Sequence, residues 1–571
     1  MNAIYFKMTR PLQVLLVLVL TLCVRAGALD REAWTITRYD LDATLTPVSS
    51  SFAAEGTLRL RNDSKQPQKN VTLQISSSLN WDSVALPNEE VQWLAQPYES
   101  DIDHTGRLSE AIITLPEAVA RGGTIELKVR YSGVIKTDAT RLTSAGMPEN
   151  IATSADWDQI SEQFTAVRGV GYVAWYPVAI EAATLSEGSA LFEAIARWQE
   201  RSRGTTLNVR FNKVANLTLL SNGQPHEGAS PTQTQVSFQS LDTNVPAFTY
   251  GAFEVLDRPA MTMYFLPQHS SSARDWALAI EQIAPTISQW FGPPKQKLKI
   301  MDLGQDRASS FESGSFLFAS LHATSQQAIA LETAPRLVHA AVSSNRHWIG
   351  EGLGQFGQML LLEKNAGRSQ VLAHFSRFSE ALAQAEQQQS KASDSSTSGA
   401  SQSLITSADP AFYRTKAMFV WWMLRDMLGD EVLQRAIASY RAADDKEPSY
   451  IQGLLEVQAK RSLETFFGDW VYRDNGLPDF KVESVYPRQT LNNSYVVTVT
   501  VANLGRAGAE IPVTVRASRG ERTARLFVPA GQKATVRIEM AAYPTEVAIN
   551  DGSVPESDAT NNTFAVAAPA N

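Results

Sequence analysis

The chain has 571 residues, of which 44% are hydrophobic and 19% charged, with a formal net charge of −8 and a single cysteine. The ordinary apolar fraction excludes a wholly disordered or fibrous chain. The acidic balance excludes a general nucleic-acid binder, and one thiol excludes both a disulfide framework and a thiolate metal site.

The first segment reads as an export signal. Lys7 and Arg10 precede an apolar run from Leu12 to Val24, and Ala26-Gly27-Ala28 follows it. A basic head, a short apolar body and an A-x-A end form the pattern of a secretory signal peptide. The run falls short of the roughly 20 residues that a spanning helix needs. We expect residues 1–28 to be removed; the alternatives are an uncleaved membrane anchor or a lipoprotein attached through Cys23. Because Cys23 lies inside this segment, the mature chain has no cysteine. Large secreted eukaryotic proteins usually carry disulfides, so a cysteine-free exported chain fits the periplasm or exterior of a bacterium. No later stretch is long and apolar enough to span a membrane.

Residues 29–257 are mostly strand-like. Tyr39–Leu45, Gly56–Asn62, Val71–Ile75 and Thr124–Tyr131 alternate apolar and polar residues, which predicts half-buried antiparallel strands in a saddle or sandwich. Residues 258–480 show the helical period instead. Helices are expected at Asp275–Trp290, Pro335–Ser343, Trp348–Asn365, Ser369–Gln389 and Phe412–Leu428, with Pro335 in a first turn, where proline is tolerated. Ser390–Ser403 is serine-rich and reads as a flexible loop. Alternation returns in residues 481–571, at Tyr495–Val501, Ile511–Val515 and Ala534–Ile538, enough for a small β-sandwich.

Several local motifs occur in a telling order. They are Tyr131-Ser132-Gly133, Trp175-Tyr176-Pro177, Leu219–Gly223 and Tyr250–Phe253. Further on come Trp348–Phe356 (with Glu351-Gly352 inside it), Phe412–Ala417, Leu463–Trp470 and Gly476-Leu477-Pro478. In this order they resemble the aminopeptidase N family of zinc metallopeptidases, the gluzincins, to which leukotriene hydrolase belongs. The resemblance implies an N-terminal antiparallel sheet domain, a central thermolysin-like, mostly helical domain, and a C-terminal immunoglobulin-like sandwich. It also implies a zinc cofactor and peptide substrates.

The family holds zinc with His-Glu-x-x-His and a glutamate on the next helix. Two histidines at i and i+4 share a helical face, and the intervening glutamate takes a proton from the metal-bound water. Here the matching stretch departs from that pattern. His339 stands at the first ligand position, Ala340 at that of the general base, Ser343 at that of the second histidine, and Glu351 at that of the third ligand. The link from Ser343 to Glu351 is short for the family. His347, four residues before Glu351, is a candidate substitute ligand. Otherwise His339 is expected to be hydrogen-bonded and partly buried, and Glu351 paired with an arginine or hydrogen-bonded near the glycine-rich helix. Tyr413 matches the tyrosine that hydrogen-bonds the oxyanion in relatives, and Glu312 matches the glutamate that holds a substrate's free amine.

Two readings follow. One is a pseudopeptidase that binds peptides or envelope proteins without zinc. The other is an active zinc aminopeptidase with an altered site. Thr498–Gly505 and Glu556–Asn562 also resemble bacterial cell-surface adhesion sandwiches, which mediate contacts.

Overall fold

The computed structural model describes residues 29–567, apart from 188, 227–229, 240, 396–402 and 474–475. The expected signal segment and residues 396–402 of the expected serine-rich loop therefore lie outside the described residues. Residues 390–395 continue a helix, Arg368–Ser395, beyond its expected end.

The alternating runs of the first region form strands as expected. Trp34–Thr46, Ser51–Asn62, Thr124–Val134 and Leu79–Leu86 pair antiparallel in an eight-stranded sheet. Thr206–Asn212, however, runs parallel to Trp34–Thr46, so the sheet is mixed and not antiparallel throughout. The helix Ala190–Arg201 precedes that strand and provides the long connection that parallel pairing requires. Gln68–Ser76, Gln92–Glu99 and Arg107–Val119 form a smaller sheet.

Residues around the Trp175-Tyr176-Pro177 motif are buried in this region's core. An irregular buried segment must find partners for its backbone groups, and core side chains provide them. The Tyr39 hydroxyl donates to the Pro177 carbonyl at 2.8 Å and the Tyr131 hydroxyl to that of Trp175 at 3.1 Å. The Gln74 backbone exchanges two hydrogen bonds with Val178. This aromatic–proline element therefore belongs to the core.

The middle region has a five-stranded mixed sheet, with Phe311–Ser313 as an antiparallel edge strand beside Phe316–Ala319. Helices pack against it. Gln326–Ala341, the His339 helix, and His347–Ala366, the Glu351 helix, form an adjacent pair. Pro335 lies inside the His339 helix, not in its first turn. A mid-helix proline deprives the carbonyl four residues earlier of its donor. That carbonyl belongs to Leu331, and Gln358 Nε2 of the Glu351 helix donates to it at 2.9 Å. We expect Gln358→Leu to cost about 1–2 kcal/mol, the range for an orphaned carbonyl, measured by urea unfolding.

Glycines bring the Glu351 helix close to its neighbours. A Cβ on Gly357 would meet Val338 Cγ2 at 2.6 Å, and one on Gly352 would meet Ala417 Cβ at 2.6 Å. Trp348 is fully buried and stacks on Trp421, with ring centroids 5.5 Å apart. Among the described residues, no helix is long and apolar enough to cross a membrane.

The last region is a sandwich of a three-stranded and a four-stranded sheet. Its inner residues Ile511, Val513 and Val499 join the same apolar core as Phe467 and Trp470 of the helical region. Trp470 Nε1 donates to the Gly508 carbonyl at 2.8 Å across that junction.

Glu556 is buried there. It accepts hydrogen bonds from Asn550 and Asn562 at 2.5 Å each and from the Phe480 amide at 3.2 Å. Burial pushes its pKa up to about 7. A raised folded pKa means that the fold favours the neutral acid. The resulting stability is full below the unfolded value, about 4.3, and is lost as pH rises towards 7. Relative to a Glu556→Gln variant, the parent should therefore weaken by about 3 kcal/mol between pH 4 and pH 7.5, at 1.36 kcal/mol per unit. Denaturant midpoints of both proteins at the two pH values check this.

Candidate functional site

The His339 helix ends at Ala341, and Val342 is already extended, with φ −117° and ψ 97°. Ser343 therefore lies beyond the helix and is exposed to solvent. The expectation that position 343 shares a helical face with His339 does not hold, because the helix stops two residues too soon. Ala340 is buried and its methyl group brings no proton-transfer group.

His339 sits between two helices and a strand. Its Nδ1 lies 2.9 Å from Glu312 Oε1, and its Nε2 donates to the Gly350 carbonyl at 3.0 Å. A Cβ on Gly354 would lie only 2.7 Å from that Nε2. Nε2 is thus turned into the backbone of the Glu351 helix, while Nδ1 faces Glu312. With Nε2 carrying its hydrogen, the contact between Nδ1 and the Glu312 carboxylate needs a second proton. Burial pushes the His339 pKa down, opposed by Glu351 and the Gly350 carbonyl, while Arg336 and Arg414 push the same way as burial.

Both carboxylates at the site are engaged by guanidinium groups. Arg336, one helical turn before His339, pairs with Glu312. Arg414 Nε donates to Glu351 Oε2 at 2.7 Å. Burial disfavours the Glu351 charge, but His339, Arg414 and Arg336 outweigh it, and its pKa falls below the ordinary glutamate value. Burial also pulls the Arg336 pKa down to about 10.

Phe412–Lys416 resolves into a π-helical turn, Ala411–Lys416, leading into the helix Ala417–Leu428. Phe412 faces the core, and Lys416 is fully buried with Nζ 2.6 Å from Glu386. With those two anchored, Tyr413 is half-buried and Arg414 is exposed beside Glu351. His347 begins the Glu351 helix and is exposed, its ring 5.6 Å from that of Tyr413.

Glu312, His339 and Glu351 place one ligand atom each within 4.8 Å of one another. His347 is not part of that compact group, so the structure puts Glu312 where the sequence offered His347.

The group was tested against zinc. Catalytic zinc takes three protein ligands and an open position for water. Here each carboxylate already has a guanidinium, and the histidine's Nε2 has a carbonyl. A dication would sit beside two fixed positive charges with no unpaired negative charge to meet it. As placed, these donors do not fit a catalytic zinc.

Sequence reasoning missed Arg336 and Arg414. The signal for Arg336 was its spacing, three residues before His339 and so on the same helical face. Arg414 gave no signal beyond lying next to Tyr413.

Two cavities of about 630 Å³ share none of these residues. One is polar, with Asp101, Arg107, Asp138 and Arg141 in its wall, and the other includes His269, Asp306 and His322.

No protein-family model matches the chain, and no curated protein matches it. Among solved structures it is similar to a point mutant of the M1 zinc metallopeptidase from Deinococcus radiodurans bound to a Tyr-Ser-Ala substrate. The identity is 14% over 78% of this chain and 96% of that chain, with a TM-score of 0.44. The mutant without that substrate gives the same identity and coverage with a TM-score of 0.42.

Proposed function

We propose that the chain is an exported member of the aminopeptidase N family that has lost zinc hydrolysis and binds peptides, or peptide segments of envelope proteins, in the recess beside Glu351. The ordered motifs of the sequence support the family, and the site supports the loss of hydrolysis. The observation that carries this reading is the pairing of Glu312 with Arg336 and of Glu351 with Arg414. Together these pairs neutralise the carboxylates that a metal would use. Ala340 adds no general base at the position where the family resemblance places one.

The compact set of Glu312, His339 and Glu351 is the observation that favours the alternative, an active metallopeptidase. A metal there would have to displace two guanidinium groups and turn the His339 ring, which Gly354 holds closely.

Zinc content after incubation with excess zinc, release of N-terminal residues from short peptides, and retention of peptides on the immobilised protein together test the proposal. We expect no stoichiometric zinc, no chelator-sensitive turnover, and measurable peptide retention. Stoichiometric zinc with chelator-sensitive turnover would overturn it. The double variant Ala340→Glu, Ser343→His should also stay zinc-free, because position 343 lies beyond the helix.

A further inference from the structure

The recess presents hydrogen-bond donors and no unpaired carboxylate from the old site. Arg414 uses Nε for Glu351, which leaves its two terminal amino groups with no hydrogen-bond partner among the described residues. Its side chain is 45% exposed, so those groups meet solvent. The hydroxyls of Tyr413 and Tyr172 likewise have no hydrogen-bond partner among the described residues. Tyr172 comes from the N-terminal region and is held in place. Arg168 lies 3.7 Å from its ring centroid, and Phe311 meets it edge-on at 5.3 Å. Its hydroxyl is near enough to bear electrostatically on both Tyr413 and Arg414. His347 adds a fourth donor beside Tyr413.

Glu312, the position that the family resemblance assigns to a substrate's amine, is occupied by Arg336 and His339. A free amine therefore finds no unpaired anion there, whereas a guanidinium fork suits a planar carboxylate.

We propose that the recess recognises a peptide by its free C-terminal carboxylate, seated among Arg414, Tyr413, Tyr172 and His347. This rests on the peptide-binding reading above and reverses the end-group preference that the family resemblance implies. Glu351 and Asp409 both bear on Tyr413. A planar carboxylate matches the fork of the Arg414 terminal amino groups, and the phosphate arm of the test below separates the two anions.

A degenerate hexapeptide pool in four forms tests this: both ends free, N-acetylated, C-amidated, and both ends blocked. Each pool is passed over the immobilised protein and the retained peptides are quantified by mass spectrometry. Peptides with a free C-terminus should be retained at least tenfold more than amides, whether acetylated or not. Equal retention of acids and amides, or loss of retention on acetylation, would overturn the proposal while leaving peptide binding intact. Retention of no form would overturn the peptide-binding reading itself. Displacement of the pool by inorganic phosphate but not by acetate would also overturn the carboxylate assignment.

Arg414→Gln should abolish the preference for acids. Tyr172→Phe, which leaves the Glu351–Arg414 pair untouched, should reduce it several-fold with an unchanged melting temperature. A preference unchanged in both variants would exclude these residues as the seat.

Discussion

Replacing Arg336 by leucine should destabilise the protein by about 3–5 kcal/mol, the usual cost of removing one partner from a largely buried ion pair. Glu312 and Arg336 are 14% and 16% exposed, so water does little to relieve the carboxylate left behind. His339 Nδ1 is also close, but its pKa is already low. The paired variant Arg336→Leu, Glu312→Leu should recover most of the loss, because an apolar pair of similar volume is often neutral relative to a buried ion pair. Urea midpoints followed by helical circular dichroism decide the matter. A single variant as stable as the parent would mean that the pair contributes nothing, and the account of the site as a closed ionic network would fail.

The second large effect lies in the N-terminal region. Arg168 and Asp158 are 4% and 0% exposed, with Arg168 Nη2 at 2.6 Å from Asp158 Oδ2. The guanidinium lies between Trp157, 3.9 Å away, and Tyr172, 3.7 Å away. Arg168→Leu should cost about 3–5 kcal/mol for the unpaired Asp158. Lysine should not rescue it, because an ammonium neither fills the planar slot between two rings nor makes two parallel bonds to the carboxylate. A lysine variant that melts like the parent would count against the stacking argument. The leucine variant should also loosen Tyr172, whose ring rests on Arg168, and weaken peptide retention beyond what the loss of stability explains.

Much of the secondary structure was legible because it depends on local period. The alternation of Gly56–Asn62 and Tyr495–Val501 became the strands Ser51–Asn62 and Tyr495–Asn503. The helix expected to end at Trp290 ends at Phe291, just before Gly292 and Pro293, though it begins earlier, at Ser270. Where tertiary contacts override local preference, sequence reasoning failed. Pro335 reads as a first-turn residue but sits mid-helix, where the distant Gln358 satisfies the carbonyl it leaves without a donor. The parallel pairing of Thr206–Asn212 depends on a chain crossing that no local pattern encodes. At the candidate site, the alanine at position 340 was legible, and an arginine was one of two partners expected for Glu351, but nothing singled out Arg414. The pairing of Glu312 with Arg336 was not, since it joins an edge strand to a helix and requires the register of both.

The shared core at the C-terminal junction bears on how this protein could be divided. Ile511 and Val513 pack with Phe467 and Trp470 in one apolar cluster, and Arg368 joins Asp426 and Asp551 across the same seam at 2.6 Å and 3.4 Å. A cut near Phe480 would not release two finished pieces; each fragment would carry a freshly bared oily face. The sandwich is therefore built into the fold of the helical region and is not an appendage that can be removed without exposing apolar surface.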